Sequence, residues 1–204
     1  MNLKNIKLLA GDASFRKFYR SKENSIVVYS KKNKYKNLQV YDAINKCLNK
    51  NGIKAPKLKK EFYIKNYILI EDLGNKTLFK LLKKNKNKNK IYFNIIKILK
   101  LIQKIKIKKL VTFKKAKYKI PQYTKNELLK ESFLFLDWYL PKVIKKIKIK
   151  QSKEEIKKCL ESLFKKLKLH KKVFVHRDFH VSNMMLYKKK IYLIDNQDAV
   201  YGNI

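Results

Sequence analysis

Residues 173–195 limit the possible folds more than any other stretch. Val173-Phe174-Val175 is a short run of strand-forming residues that leads into His176-Arg177-Asp178-Phe179-His180-Val181-Ser182-Asn183. Two more apolar runs, 184–187 and 191–194, flank Lys188-Lys189-Lys190, and Asp195 follows the second run. The pattern predicts a buried strand, a polar loop, a hairpin and a carboxylate at a strand end.

The remaining periodicities build an α+β frame around that stretch. The runs 6–10, 16–20 and 25–30 read as strands, with the small residues Gly11-Asp12-Ala13-Ser14 as a turn between the first two. Apolar residues at 38, 40, 41, 44, 47 and 48 have helical spacing, and Asn51-Gly52 stops that helix. Residues 62–64 and 67–70 read as paired strands, and a helix starts at 77. Residues 83–90 alternate lysine and asparagine and read as a solvated loop. Helices are expected over 91–107, 126–149 and 152–169. Pro141 should kink or divide the second, and Ser152 with Glu155 fits a capping box on the third. The division is a β-rich lobe over residues 1–74 and a mostly helical lobe over 75–204.

Composition narrows the class. The 204 residues include 45% hydrophobic ones, enough for a real core. The longest apolar runs fall well short of a membrane span. The first ten residues lack the long apolar stretch and small-residue cleavage site of a signal peptide. Cys47 and Cys159 sit far apart and away from the three histidines, which argues against a disulfide framework or zinc site. A reduced cytoplasmic protein is the expectation. The net charge is +38, yet of 53 basic residues only Arg16, Arg20 and Arg177 are arginine. Lysine, asparagine and isoleucine all have AT-rich codons, and the lysines spread along the whole chain. The charge therefore reads as codon bias filling exposed sites, with no specific nucleic-acid partner and no membrane. The competing reading is an electrostatic footprint for a polyanion.

The chemistry lies in Asp178, Asn183 and Asp195. Asp178 can take or orient the proton of an acceptor hydroxyl. Asn183 offers a neutral oxygen and Asp195 a charged one to magnesium, which prefers hard oxygen ligands and keeps phosphate oxygens in its other positions. His176 is expected to brace the loop. Singly, each of these residues reads as a turn cap. Together, in the order strand, His-x-Asp-x4-Asn, hairpin, Asp, they match the catalytic and metal parts of kinase-like phosphotransferases.

The chain resembles the aminoglycoside phosphotransferase-like superfamily, and within it the bacterial N-acetylmuramate/N-acetylglucosamine anomeric kinases of cell-wall recycling. The resemblance rests on residues 11–20 (GDASFRKFYR), 25–28, 68–74 (ILIEDLG), Glu131 with 134–139 (LFLDWY), 176–183 and 194–202. It implies a protein-kinase-like two-lobed fold, ATP and magnesium as cofactors, and a small-molecule sugar as acceptor. It implies that Gly11, Ala13, Ser14, Phe15 and Arg16 cover the ATP phosphates and that Glu71 and Leu73 form a hinge meeting adenine. Asp178 would be the catalytic base, with Asn183 and Asp195 on the metal. Arg20, Glu131, Asp137 and Asp198 would face the substrate, with Gln197 close by. Trp138 and Tyr139 read equally as sugar-pocket or core residues. His180 reads as a satisfied loop histidine, with a substrate contact as the other possibility.

Three departures qualify the resemblance. No VAIK-type lysine sits on the third strand, where Tyr29-Ser30 stand. Asn196 replaces the phenylalanine usual after the metal aspartate, which predicts looser packing behind Asp195. The family normally continues with further helices beyond the position of Ile204, which leaves room for a partner chain supplying them. The rival readings are a small-molecule kinase with another acceptor, an inactive remnant, and a basic polyanion-binding protein.

Overall fold

A computed structural model describes residues 7–9, 16–21, 23–31, 36–84, 88–167 and 172–203. The expected phosphate loop, with Gly11, Ala13, Ser14 and Phe15, lies outside the described residues, as do 85–87 of the lysine–asparagine run.

By its contacts the chain groups into two compact units, Met1–Ile120 with Phe174–Ala199, and Pro121–Val173 with Val200–Ile204. In the first unit a five-stranded antiparallel sheet has the order β1-β2-β3-β5-β4. Its strands are β1 (Lys7–Leu8), β2 (Arg16–Ser21), β3 (Ser25–Ser30), β4 (Leu58–Phe62) and β5 (Tyr67–Glu71). The central β3 is buried at five of six positions, as its unbroken apolar run predicts. Ile26 and Val28 on β3 and Ile68 and Ile70 on β5 share one sheet face by the two-residue period. They pack on Leu38 and Tyr41 of helix α1 (Lys36–Lys50). Gly52, at φ +79°, lets the chain leave α1 in a left-handed turn.

The strand expected at 62–64 is displaced. β4 runs earlier, and Tyr63–Lys65 is a 3-10 turn closed by Asn66 at φ +60°. Phe62 then stacks on Tyr67 with ring centroids 4.7 Å apart. Helix α2 (Leu78–Lys84) and helix α3 (Asn89–Gln103) follow. α3 buries Ile95 and Ile102 but leaves Tyr92, Phe93 and Ile96 exposed. A hairpin that the sequence reading missed, β6 (Lys109–Val111) with β7 (Lys117–Lys119), comes next. Thr112 Oγ1 donates to Gln39 Oε1 of α1 at 2.8 Å.

The second unit begins with α4 (Lys125–Leu134). Its N-terminus carries a true capping box, Thr124 with Glu127. Pro141 does interrupt the next helix. Residues Phe135–Tyr139 form a π turn before α5 (Leu140–Val143). Proline cannot donate to the carbonyl four residues back and its ring crowds it, so the preceding turn widens. The last helix is α6 (Ile149–Lys166). It starts three residues before Ser152, so the expected Ser152–Glu155 box is an interior turn and not a cap.

Late in the chain come β8 (Lys172–Val175), the hairpin β9 (Met184–Tyr187) with β10 (Lys190–Leu193), and β11 (Val200–Asn203), which the sequence reading did not assign to a strand. Lys188 and Lys189 both hold positive φ at the hairpin tip. Asparagine and glycine are the residues such a two-residue turn normally takes.

Candidate active site

The hairpin β9–β10 docks within the first unit by backbone bonds. Leu186 N–H donates to Lys76 O at 2.8 Å and Leu193 N–H to Lys54 O at 2.8 Å. Ile194 N–H donates to Asn183 O at 3.0 Å, which brings the Asn183 end of the loop beside the Asp195 end of the hairpin. The expected neighbours, twelve positions apart in sequence, are adjacent in space.

The loop itself is tied by its own backbone. His180 N–H donates to Asp178 O at 3.0 Å, and Asn183 N–H to His180 O at 2.9 Å. Asn183 Nδ2 donates to Asp178 O at 3.2 Å and lies 3.3 Å from His180 Nε2. With Nδ2 so engaged, Oδ1 is the atom of that amide suited to a cation. Two motif residues hold left-handed backbone, Arg177 at φ +72° and Asp195 at φ +60°. Non-glycine residues adopt it only when the surroundings impose it.

Those surroundings form a buried polar relay. Asn196 is fully buried. Its Nδ2 donates to Asn45 Oδ1 at 2.8 Å and to Leu193 O at 3.0 Å. Its Oδ1 therefore accepts from His176 Nε2 at 2.7 Å. Asn45 passes the chain on, donating to Pro56 O at 3.1 Å. Burial holds the His176 imidazole below its ordinary pKa, with the Asn196 bond pulling the other way. His176 is thus a neutral brace. The looser packing expected at Asn196 is not found: the amide makes three hydrogen bonds in a site that a phenylalanine would fill with contacts.

Arg16 at the start of β2 is almost wholly buried. It donates to Asp195 Oδ1 at 3.0 Å and to Asn37 Oδ1 at 3.1 Å. Its guanidinium lies 5.9 Å from the Tyr41 ring centroid. Burial pushes the Tyr41 phenol up to about 12, against the pull of Arg16. Arg16 occupies the position across from Ser30 on β3, so a cation reaches Asp195 although β3 carries no VAIK-type lysine.

Asp178, Asn183, Asp195, Glu71, Leu73 and Arg20 all line one cavity of about 810 Å³, within the range of small-molecule sites. Its apolar lining comes from the sheet side (Leu9, Phe18, Ile26, Ile70) and from Met185 and Ile194. Glu71, Asp72, Asp178 and Asp195 place four of the chain's 15 carboxylates there, and Lys80 is its one lysine among the described residues. In a chain of +38 this is a local reversal of charge. The reversal is a signal that the sequence reading missed, because only the fold gathers those four residues. Asp198 is exposed and accepts from Gln197 Nε2 at 2.5 Å. It is not among the cavity residues.

Glu131 and Asp137 belong to the second unit. Glu131 is hydrogen-bonded to the Tyr123 hydroxyl, and Asp137 pairs with Lys153 Nζ at 2.9 Å. Trp138 and Tyr139 are exposed, 71% and 54%, so they are not core residues.

The donor chemistry suits magnesium carried by a nucleotide. Asn183 and Asp195 supply hard oxygens on one wall, and phosphate oxygens would complete the shell. Among the described residues no group of three or more His, Cys, Asp or Glu could hold a metal ion, so this is not an all-protein cage.

Solved structures share the fold. The chain is similar to ADP-bound aminoglycoside phosphotransferase APH(2'')-Ib, with TM-score 0.65 and 15% identity over 100% of this chain and 69% of that one. It is also similar to choline kinase LicA from Streptococcus pneumoniae, with TM-score 0.57 and 16% identity over 98% and 66%. The fold is therefore protein-kinase-like, two-lobed and α+β. Among curated proteins the chain is 25% identical over 200 residues to the N-acetylmuramate/N-acetylglucosamine kinase of Neisseria meningitidis serogroup B, covering 96% of this chain and 57% of the relative. It is 24% identical over 197 residues to the Pseudomonas aeruginosa protein of the same name, covering 96% and 55%. The chain spans just over half the length of these relatives. Residues 5–204, almost the whole chain, match the phosphotransferase enzyme family (APH), and the chain belongs to that family.

Proposed function

We propose that this chain provides the nucleotide site and catalytic loop of an ATP- and magnesium-dependent phosphotransferase acting on a sugar hydroxyl. The observation that carries the reading is the shared cavity. Asp178, Asn183 and Asp195 line it together with the strand-exit residues Glu71 and Leu73. In this reading residues 1–74 form the nucleotide-binding lobe and 75–204 the catalytic lobe. The backbone at Glu71 and Leu73 meets the base, and the apolar lining holds its faces. Gly11, Ala13, Ser14 and Phe15 cover the phosphates, and Arg16 fixes Asp195.

Asn183 and Asp195 would hold magnesium, which would supply charge neutralisation. Asp178 accepts or orients the acceptor's hydroxyl proton, so catalysis rests on positioning and electrostatics. Glu131, Asp137 and Asp198 are assigned to the acceptor side; the resemblance adds Arg20, whose hydrogen bonds to Asp72, Gly74 and Asn75 instead hold the segment after β5. The names of the curated relatives favour N-acetylmuramate or N-acetylglucosamine as the acceptor; the anomeric hydroxyl, cell-wall recycling and the cytoplasm come from the resemblance read in the sequence. No described helix is long and apolar enough to cross a membrane.

The test is Asp178→Asn with both sugars as acceptors. Phosphoryl transfer should fall about 10²–10⁴-fold, while nucleotide affinity in calorimetry stays within about twofold. Equal loss of both removes Asp178 from the chemical step. Turnover with other alcohols but neither amino sugar would keep the kinase and change its acceptor.

A further inference from the structure

Only three of 53 basic residues are arginine, so an arginine marks a place where an ammonium does not suffice. Arg20 shows why. Its Nε and Nη2 donate to Asp72 Oδ2 and Oδ1 at 2.6 and 2.9 Å, a bidentate fork. Nη2 also donates to Gly74 O at 2.9 Å, and Nη1 to Asn75 Oδ1 at 2.6 Å. Four bonds from one planar group tie β2 to the segment leaving β5, two strands away in the sheet. The same Asp72 Oδ1 accepts from Gly74 N–H at 2.8 Å, the turn an aspartate makes with its own backbone two residues on. Gly74 takes φ +75° there.

We propose that Arg20 is a positioning residue for the nucleotide. It locks residues 72–75 to β2, which fixes where the backbone of Glu71 and Leu73 faces the cavity. This deepens the nucleotide-site reading and rests on it. Leu73, buried between the two anchored positions, has its backbone location set by the clamp. Because β2 directly follows the expected phosphate loop in sequence, one guanidinium joins the element at the base end to the element at the phosphate end. Most of Arg20's hydrogen-bonding capacity is spent inside the protein, which argues for action through the segment and not by contact with the acceptor.

The test uses the full chain with Arg20→Lys, Asp72→Asn, the double variant, and Asn75→Ala as a milder change that removes one bond of the four. Calorimetry with magnesium-ATP should show about tenfold weaker binding for Arg20→Lys and for Asp72→Asn. The double variant should lie within about twofold of either, since both lose one shared interaction. The acceptor KM should stay unchanged. Amide exchange at residues 72–75 should rise in Arg20→Lys while the middle of β5 stays protected. A raised acceptor KM with normal nucleotide affinity overturns the proposal and places Arg20 on the acceptor. A lower Tm with normal nucleotide affinity also overturns it, leaving a merely structural tie. If the parent chain binds no nucleotide yet exchange at 72–75 rises in the variant, the nucleotide reading fails while the clamp stands. Unchanged exchange beside normal parent binding removes the clamp alone.

Discussion

The two compact units are held in different ways. In the first, the sheet face and α1 bury a connected apolar cluster, and the loop with Asp178 is braced by wholly buried His176, Asn196 and Asn45. In the second, neither α4 nor α6 has a fully buried residue. Leu136 and Leu140 are buried, but Leu134, Phe135, Trp138, Val143, Ile147 and Leu163 are exposed. The first unit resists change through packing and through that buried hydrogen-bonded relay. The second carries local helical features such as the Thr124 cap and leaves much of its apolar surface exposed. The difference teaches that the candidate site stands on the unit with the connected apolar cluster.

Substitutions can break that contrast. Ile68→Ala in the cluster should cost about 2–5 kcal/mol in denaturant unfolding, as large-to-small changes in packed cores do. Asn196→Ala should cost about 1–3 kcal/mol, because His176 and Asn45 lose a partner where water is excluded. Thr124→Ala should cost about 1 kcal/mol by removing a cap, seen as faster amide exchange at the start of α4. Leu163→Ala should stay within about 0.5 kcal/mol. A loss at Leu163 rivalling that at Ile68 would show that α6 is packed as tightly as the sheet, and the contrast would collapse.

Acidity sharpens it further. The folded state keeps His176 neutral below the ordinary imidazole pKa, so the unfolded chain takes up that proton first. Stability should therefore fall as pH drops through about 6.5, and the slope should flatten in His176→Asn. An unchanged slope would mean that the imidazole is not buried neutral.

Much of this was legible in the sequence. The strands at 16–21 and 25–30, α1 and the late hairpin follow directly from residue spacing, because each pattern needs only neighbours within one element. The order of Asp178, Asn183 and Asp195 was legible for the same reason: strand ends and short loops bring them together. Partners far apart in sequence were not. Asn196 meets Asn45 across 151 positions and Arg20 meets Asp72 across 52, and an amide or guanidinium gives no periodic sign of its partner. The reading of Asn196 as a packing defect failed on that account. β6, β7 and β11 were missed because each is only three or four residues long and the first two are broken by lysines.

The relay and the clamp have one more thing in common: neither contains a lysine. His176, Asn196, Asn45, Arg20, Asp72 and Asn75 belong to a chemical minority in a chain with 50 ammonium groups. Reagents that acylate or methylate lysine would transform the exterior and its solubility while touching, inside the cavity, Lys80 alone among the described residues. Wholesale recoding of surface lysines for production or crystallisation should thus be separable from the site.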